Sequence, residues 1–244
     1  MENTGYIALS AQAALQRRMD TIANNIANMN TSAYKAEETL FVDHLVKSRG
    51  DDRIAPTKLA FVRDVGMVRD LSDGPIQVTG NPLDVALKGD GYHVVQTPQG
   101  ERYTRDGRLE LNADGALVTQ DGHEVLSSAG TPFFFTPEDK DIHIARDGTI
   151  STRTGDLGKL RVVKFDDPRR LLKVGGNLYS TDQAPQDVAN PDVVQNALEG
   201  SNVQPVIEMA RMIDTHRSYD DVRQFIDRED QRIRKMMDEY TRVA

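Results

Sequence analysis

Glu110, Asn112, Asp114, Gly115 and Asp121 stand at positions 1, 3, 5, 6 and 12 of a calcium-binding loop, with Leu117 at the apolar eighth place. That spacing would converge carboxylate and amide oxygens on one cation. Two features count against it. Position 12 wants a bidentate Glu and has Asp, and the flanking runs read as strands where such a loop needs helices. Asn-x-Asp-Gly is also the chemistry of a tight turn, because Asn bonds its own backbone and Gly accepts positive φ. The turn is the expected structure. Gly89-Asp90-Gly91 opens a G-x-G, but Val94 occupies the place of the third Gly of a dinucleotide loop, between strands. His44, His93, His123, His143 and His216 show no ligand spacing. No nucleophile elbow, zinc-helix motif or phosphate loop occurs. Carboxylates abound in so acidic a chain, so no pair of them is evidence of acid–base work. None of these residues makes a case for a catalytic, metal or cofactor site.

Composition narrows the partners. The 244 residues carry a net charge of −8, which argues against nucleic acid, a ligand that calls for a basic patch. There is no Cys, so disulfides and thiolate metal sites are excluded. No apolar run approaches the roughly 18–20 residues of a membrane span. The start, Met1-Glu2-Asn3, lacks a basic region, and Gln12, Arg17 and Arg18 interrupt any apolar core of a secretory signal. The chain is expected to stay in the cytoplasm or to leave by a route that reads no cleaved signal.

The elements that would position any site fall into three segments. Residues 4–31 read as a helix in which Leu15, Met19, Ile22, Ile26 and Met29 repeat at 4-3 spacing, a coiled-coil seam extended backwards by Ala8 and Ala11. Its end is crowded with asparagine, "IANNIANMNT" from Ile22 to Thr31, although Asn competes for nearby backbone groups and is a mediocre helix former. Residues 33–75 read as an extended connector, with a short helix over Phe41, Val42, Leu45 and Val46. From 76 to 195, turn signals at Gly89-Asp90-Gly91, Pro98-Gln99-Gly100, Asp106-Gly107, Asp114-Gly115 and Asp121-Gly122 punctuate short apolar runs, the pattern of an antiparallel meander. Residues 196–244 close with a second helix, capped by Ser201 or Asn202 and admitting Pro205 in its first turn. Val206, Met209, Ile213, Tyr219, Val222 and Ile226 form its stripe. The fold class expected is α+β: terminal helices pairing as a coiled-coil domain around a central, mostly antiparallel β domain.

Three stretches carry a resemblance. "ALSAQAALQRRMDTIANNIANMNTSAYKAE", "GNPLDVALKGDGYHVVQTPQGERYTRDGRLELNADGALVTQDGHEVL" and "ALEGSNVQPVIEMARMIDTHRSY" resemble, in order, the N-terminal signature, central block and C-terminal signature of the flagellar rod and hook family. The length, the Leu15–Asp20 run and the short central region look most like a proximal-rod member, with a distal-rod member as runner-up. The resemblance implies an axial structural subunit, partnered by other rod proteins, by copies of itself and by the flagellar type III export apparatus. It implies location in the rod of the basal body, in the periplasmic space, without a cleaved signal, and no small-molecule substrate. There are departures: Ala33 stands before Tyr34 where the family usually has Gly, and His216-Arg217-Ser218-Tyr219 replaces its Gln-Arg-Ala-aromatic.

That resemblance gives the asparagines a job. Asn24, Asn25 and Asn28 are expected to bond to neighbouring helices and fix register, as a buried Asn does in coiled coils. Leu15, Met19, Ile22, Ile26, Met29, Val206, Met209, Ile213, Tyr219, Val222 and Ile226 are the expected assembly surface. Both helices are expected to lack partners until assembly. A non-flagellar coiled-coil adaptor with a β binding domain is the alternative.

Overall fold

The computed structural model describes residues 2–47, 58–139 and 141–243, which form two compact units. Unit 1 comprises residues 1–27, 37–69 and 204–244. Unit 2 comprises residues 28–36 and 70–203.

Unit 1 is built from helix α1 (Glu2–Ala27), strands β1 (Glu37–Lys47) and β2 (Lys58–Arg69), and helix α2 (Pro205–Val243). The Phe41–Val46 stretch is part of β1, where the sequence pattern pointed to a short helix. An isolated helix of that length is not stable, whereas pairing along the antiparallel register from Glu37↔Arg69 to Lys47↔Lys58 satisfies the backbone. The helices run antiparallel and pack on each other within one chain: Gln12 Nε2 donates to the Tyr219 hydroxyl at 2.9 Å, and Asn25 Nδ2 to Glu208 Oε2 at 3.2 Å. The expectation that they wait for assembly to find a partner is thereby corrected.

α1 ends at Ala27, so Met29 falls beyond it and is exposed. The reason is local: Thr31 N–H donates to the Asn28 carbonyl and its hydroxyl to Asn28 Oδ1, both at 3.1 Å, a turn that competes with further helix. α2 begins at Pro205 without Ser201 or Asn202 as its cap. Asn202 is engaged elsewhere, as described below.

Unit 2 is antiparallel β. Seven strands of its main sheet lie in the order Leu172–Gly175, Leu178–Ser180, Gly100–Thr104, Tyr92–Thr97, Glu124–Val125, Leu117–Thr119 and Leu109–Leu111. Both faces of this sheet are covered, which is why Tyr92, His93, Val94 and Val95 are all buried rather than alternating. One face packs Val85, Val95, Leu109, Leu117, Ile150 and Leu160. The other gathers aromatic rings, with Tyr103 edge-on to Phe165 at 4.7 Å between centroids. The Asn112–Gly115 stretch is a hairpin turn. Asn112 Oδ1 accepts from the backbone N–H of Asp114 and of Ala116, Gly115 has φ +79°, and Leu111 pairs with Leu117 beyond it.

His93 is fully buried, and among the described residues neither ring nitrogen has a hydrogen-bond partner. Burial, reinforced by the positive charge of Arg105, lowers its pKa to about 4, against a smaller upward pull from the Val85 backbone. The unfolded imidazole titrates near its ordinary value of 6.5. Between those values the unfolded chain binds the proton and the folded chain does not. Stability present above pH 6.5 is therefore lost as pH falls towards 4, by up to about 3 kcal/mol. Urea unfolding of wild type between pH 7 and 4.5 should show that loss, and His93→Leu should largely flatten it. An equally steep profile in His93→Leu would assign the acid sensitivity to other groups.

Candidate assembly sites

Asn25 answers for the asparagine cluster. Its side-chain amide pairs with the backbone of Glu37 as a strand would: Nδ2 donates to the Glu37 carbonyl at 2.9 Å and Oδ1 accepts from the Glu37 N–H at 3.0 Å. The same Nδ2 reaches Glu208 on α2. Arg211 Nη1 then lies 2.8 Å from both Glu208 and Glu38. One amide thus ties the end of α1, the start of β1 and the first turn of α2. Asn25 and Glu208 are buried, and a buried polar group missing its partner costs about 1–3 kcal/mol, so this arrangement selects one register. Asn24 is exposed and Asn28 belongs to the turn after the helix, so of the three expected register-setting amides only Asn25 occupies a buried position between elements.

A cavity of about 240 Å³ adjoins this clasp, lined in part by Arg18, Thr21, Ile22 and Thr39. Its acidic groups Glu37, Glu38 and Glu208 are each paired with an arginine, and no nucleophile–base pair lines it. The arrangement positions chain segments and is not built for bond-making chemistry.

Unit 2 has a second clasp. Glu199 is 2 % exposed, yet its carboxylate accepts from Lys35 Nζ at 2.7 Å, from Arg105 Nε at 2.9 Å and from the Gly74 N–H at 3.0 Å. Arg105 spends its remaining donors on the Gly89 and Gly91 carbonyls and on Asp73. Lys35 also donates to the Ser72 carbonyl. Gly74 is required by proximity, since a Cβ there would overlap the Gly200 carbonyl. Asn202 completes the clasp: its Oδ1 accepts from Ala36 N–H at 2.7 Å, and its Nδ2 donates to the carbonyls of Asp70 and Ser72. Nearby, Ala33 holds φ +55°, the left-handed region that the Gly usual in the family adopts without strain.

The expected assembly residues divide into two sets. On α1, Ile22 is buried and Leu15, Met19 and Ile26 are half-buried within unit 1. On α2, Tyr219, Val222 and Ile226 are half-buried. Val206, Met209 and Ile213 are 76 %, 49 % and 53 % exposed, so the single stripe expected on α2 is two faces. The inward one runs Glu208, Met212, Thr215, Tyr219, Val222 and Ile226, a 4-3 repeat whose polar members conceal it from a search for apolar residues. Lys35, Arg105, Glu199 and Asn202 were missed for a similar reason: charged and amide side chains read as solvated. Their one advance signal is position, because each lies within a signature stretch.

Comparison with known proteins follows the same stretches. Residues 6–35 match the model for the flagella basal body rod protein. Residues 86–152 match the flagellar hook protein FlgE/F/G D1 domain, and residues 194–239 the flagellar basal body rod FlgEFG protein C-terminal model. The chain is 40 % identical over 93 % of its length, and 93 % of the relative's, to the flagellar basal-body rod protein FlgF of Caulobacter vibrioides. It is 33 % identical to the FlgF of Mesorhizobium japonicum over 90 % of both chains. The flagellar basal-body rod protein FlgG of Agrobacterium fabrum is 34 % identical over 88 % of this chain and 90 % of its own. Lys35, Arg105 and Glu199 each come from a different one of the three matched segments, and they meet in one ion-paired cluster.

Proposed function

The chain belongs to the flagellar basal-body rod family, among its FlgF-type members, and we propose that its two clasps preset the chain ends for docking into the rod. It is a structural rod subunit and not an enzyme. It assembles with other rod proteins in the basal body. In our reading the inner faces of α1 and α2 pair as a coiled coil within each subunit. The outer face of α2, carrying Val206, Met209 and Ile213, then meets neighbouring subunits, copies of itself included. The observation that carries this reading is the exposure of those three apolar side chains on a helix whose other face is already satisfied. Exposed apolar side chains contiguous on one face mark interaction surfaces. Export through the flagellar type III apparatus without a cleaved signal, and residence in the periplasmic part of the axis, belong to the same proposal. A position in the distal rod is the second reading, favoured by the identity to FlgG of Agrobacterium fabrum.

Electron microscopy of isolated basal bodies, probed with an antibody to this chain, separates proximal from distal positions. The docking face has its own test. Val206→Asp, Met209→Asp and Ile213→Asp together should abolish motility and incorporation into basal bodies. Stability should shift little, since exposed substitutions typically stay within about 0.5 kcal/mol each. Normal motility in that variant would remove this face from the assembly surface.

A further inference from the structure

Among the described residues, the main sheet of unit 2 ends in two strands that are each paired on one side, Leu172–Gly175 and Leu109–Leu111. From these edges we infer that a second copy of the chain adds its Leu109–Leu111 edge to the Leu172–Gly175 edge of the first, continuing the sheet from subunit to subunit. The inference rests on the rod reading and names a contact within it.

Three observations carry it. First, the edges are exposed. Leu172 is 67 % exposed, Lys173 is exposed, and on the other edge Glu110 is exposed and Leu111 is 39 % exposed. Native sheets usually blunt an edge with inward charges, proline or a cover. Here the blunting is partial: Val174 is bulged between Lys173 and Gly175, and Arg108, just before the second strand, is bridged to Asp84.

Second, the direction and faces agree. Neighbours in the seven-strand run are antiparallel, so its two end strands point the same way. Directly opposed residues share a face, and the registers Lys173↔Tyr179, Tyr179↔Tyr103, Gln96↔Glu101, Gln96↔Glu124, Val118↔Glu124 and Glu110↔Val118 place Lys173 and Glu110 on the same face. Leu172 and Leu109 lie on the opposite face. A copy displaced along the sheet without being turned over therefore sets Lys173 beside Glu110 and Leu172 beside Leu109.

Third, the chemistry is complementary. Opposite charges meet on one face and like charges do not oppose; on the other face the exposed Leu172 lies beside Leu109, which is itself buried in the core of its own subunit. The Lys173 ammonium lies 4.6 Å from the centre of the Tyr34 ring, which holds that charge at the edge. Because the two edges differ, the contact is heterologous and repeats head to tail, as the contacts of a helical array do. A few residues of strand bury far less than a stable free dimer needs. The contact thus forms where docking already concentrates the subunits and stays open in dilute protein.

The chain has no Cys of its own, which makes the test clean. Adjacent strands bring Cβ atoms within disulfide reach. Basal bodies from cells making Glu110→Cys with Lys173→Cys in one chain are oxidised and resolved without reductant. Dimers and higher multimers are expected from the double variant and only monomer from either single one. No excess over the single variants, with the chain present in the basal bodies, overturns the inference. Absence of wild-type chain from basal bodies would instead overturn the rod reading. Charge reversal gives a second measurement: Glu110→Lys and Lys173→Glu should each lower swarming several-fold, and the two together should restore it. Failure of the combined variant to recover also overturns the inference.

Discussion

Glu199→Gln should destabilise unit 2 by about 3–5 kcal/mol, the cost of removing one partner from a buried ion pair. The carboxylate serves two cations whose side chains are 5 % exposed, Lys35 and Arg105, and a backbone N–H. A glutamine keeps the shape and one acceptor. It turns an NH₂ towards the other donors and leaves two buried charges with Asp73, whose side chain is half exposed, as their counter-charge among the described residues. For a unit of this size the melting point should fall by about 10 °C. Near-ultraviolet circular dichroism reads the transition, because Tyr34, Tyr92, Tyr103 and Tyr179 are buried in unit 2 and there is no Trp. Replacing all three charges, with Glu199→Met, Lys35→Met and Arg105→Met, should cost less than the single change, because the one charge left without its partners, Asp73, is half exposed to water. A loss under about 1 kcal/mol in Glu199→Gln would mean that water reaches the clasp, and its role in fixing the chain segments would have to be given up.

The legible parts of this protein are those where a single residue type decides a local conformation. Asn112 and Gly115 announce their turn because no other conformation uses both the amide and the positive φ so well. Pro205 marks the start of α2 because its missing N–H costs nothing there. What escaped reading depends on partners distant in the chain. β1 looked like a short helix because its partner strand, Lys58–Arg69, is what makes it a strand. The inner face of α2 was hidden because Glu208 and Thr215 are polar, and they are buried only because Asn25 and the packing of unit 1 receive them. Among the asparagines, helical spacing sets Asn25 beside the seam and Asn24 on the opposite face, but it does not say what receives the amide. The choice is made by the Glu37 backbone, which presents both a donor and an acceptor to that one position.

Ile22→Asp with Ile26→Asp should both abolish motility and melt the helices of unit 1. Sequence reasoning alone expects the free subunit to tolerate this change, because it leaves α1 unpacked until assembly. The geometry reverses that. Ile22 is 4 % exposed and lines the cavity beside Glu208 and Arg211, and Ile26 is half-buried. Burying one isoleucine contributes roughly 1.5–3 kcal/mol, so losing one and part of another removes about 2–4. The new carboxylates add several more, because Glu37, Glu38 and Glu208 already crowd the cavity with negative charge against Arg18 and Arg211. The sum exceeds what α1 can supply by propensity alone, since an isolated helix is marginal in water. Far-ultraviolet circular dichroism should therefore lose helical signal. The near-ultraviolet tyrosine signal and the melting of unit 2, whose core contains neither residue, should stay within about 0.5 kcal/mol of wild type. The α2 surface variant offers the contrast, with full helicity and no motility. If Ile22→Asp with Ile26→Asp keeps its helical signal and loses only motility, α1 is not packed in the free subunit, and assembly rather than the Asn25 clasp orders the chain ends.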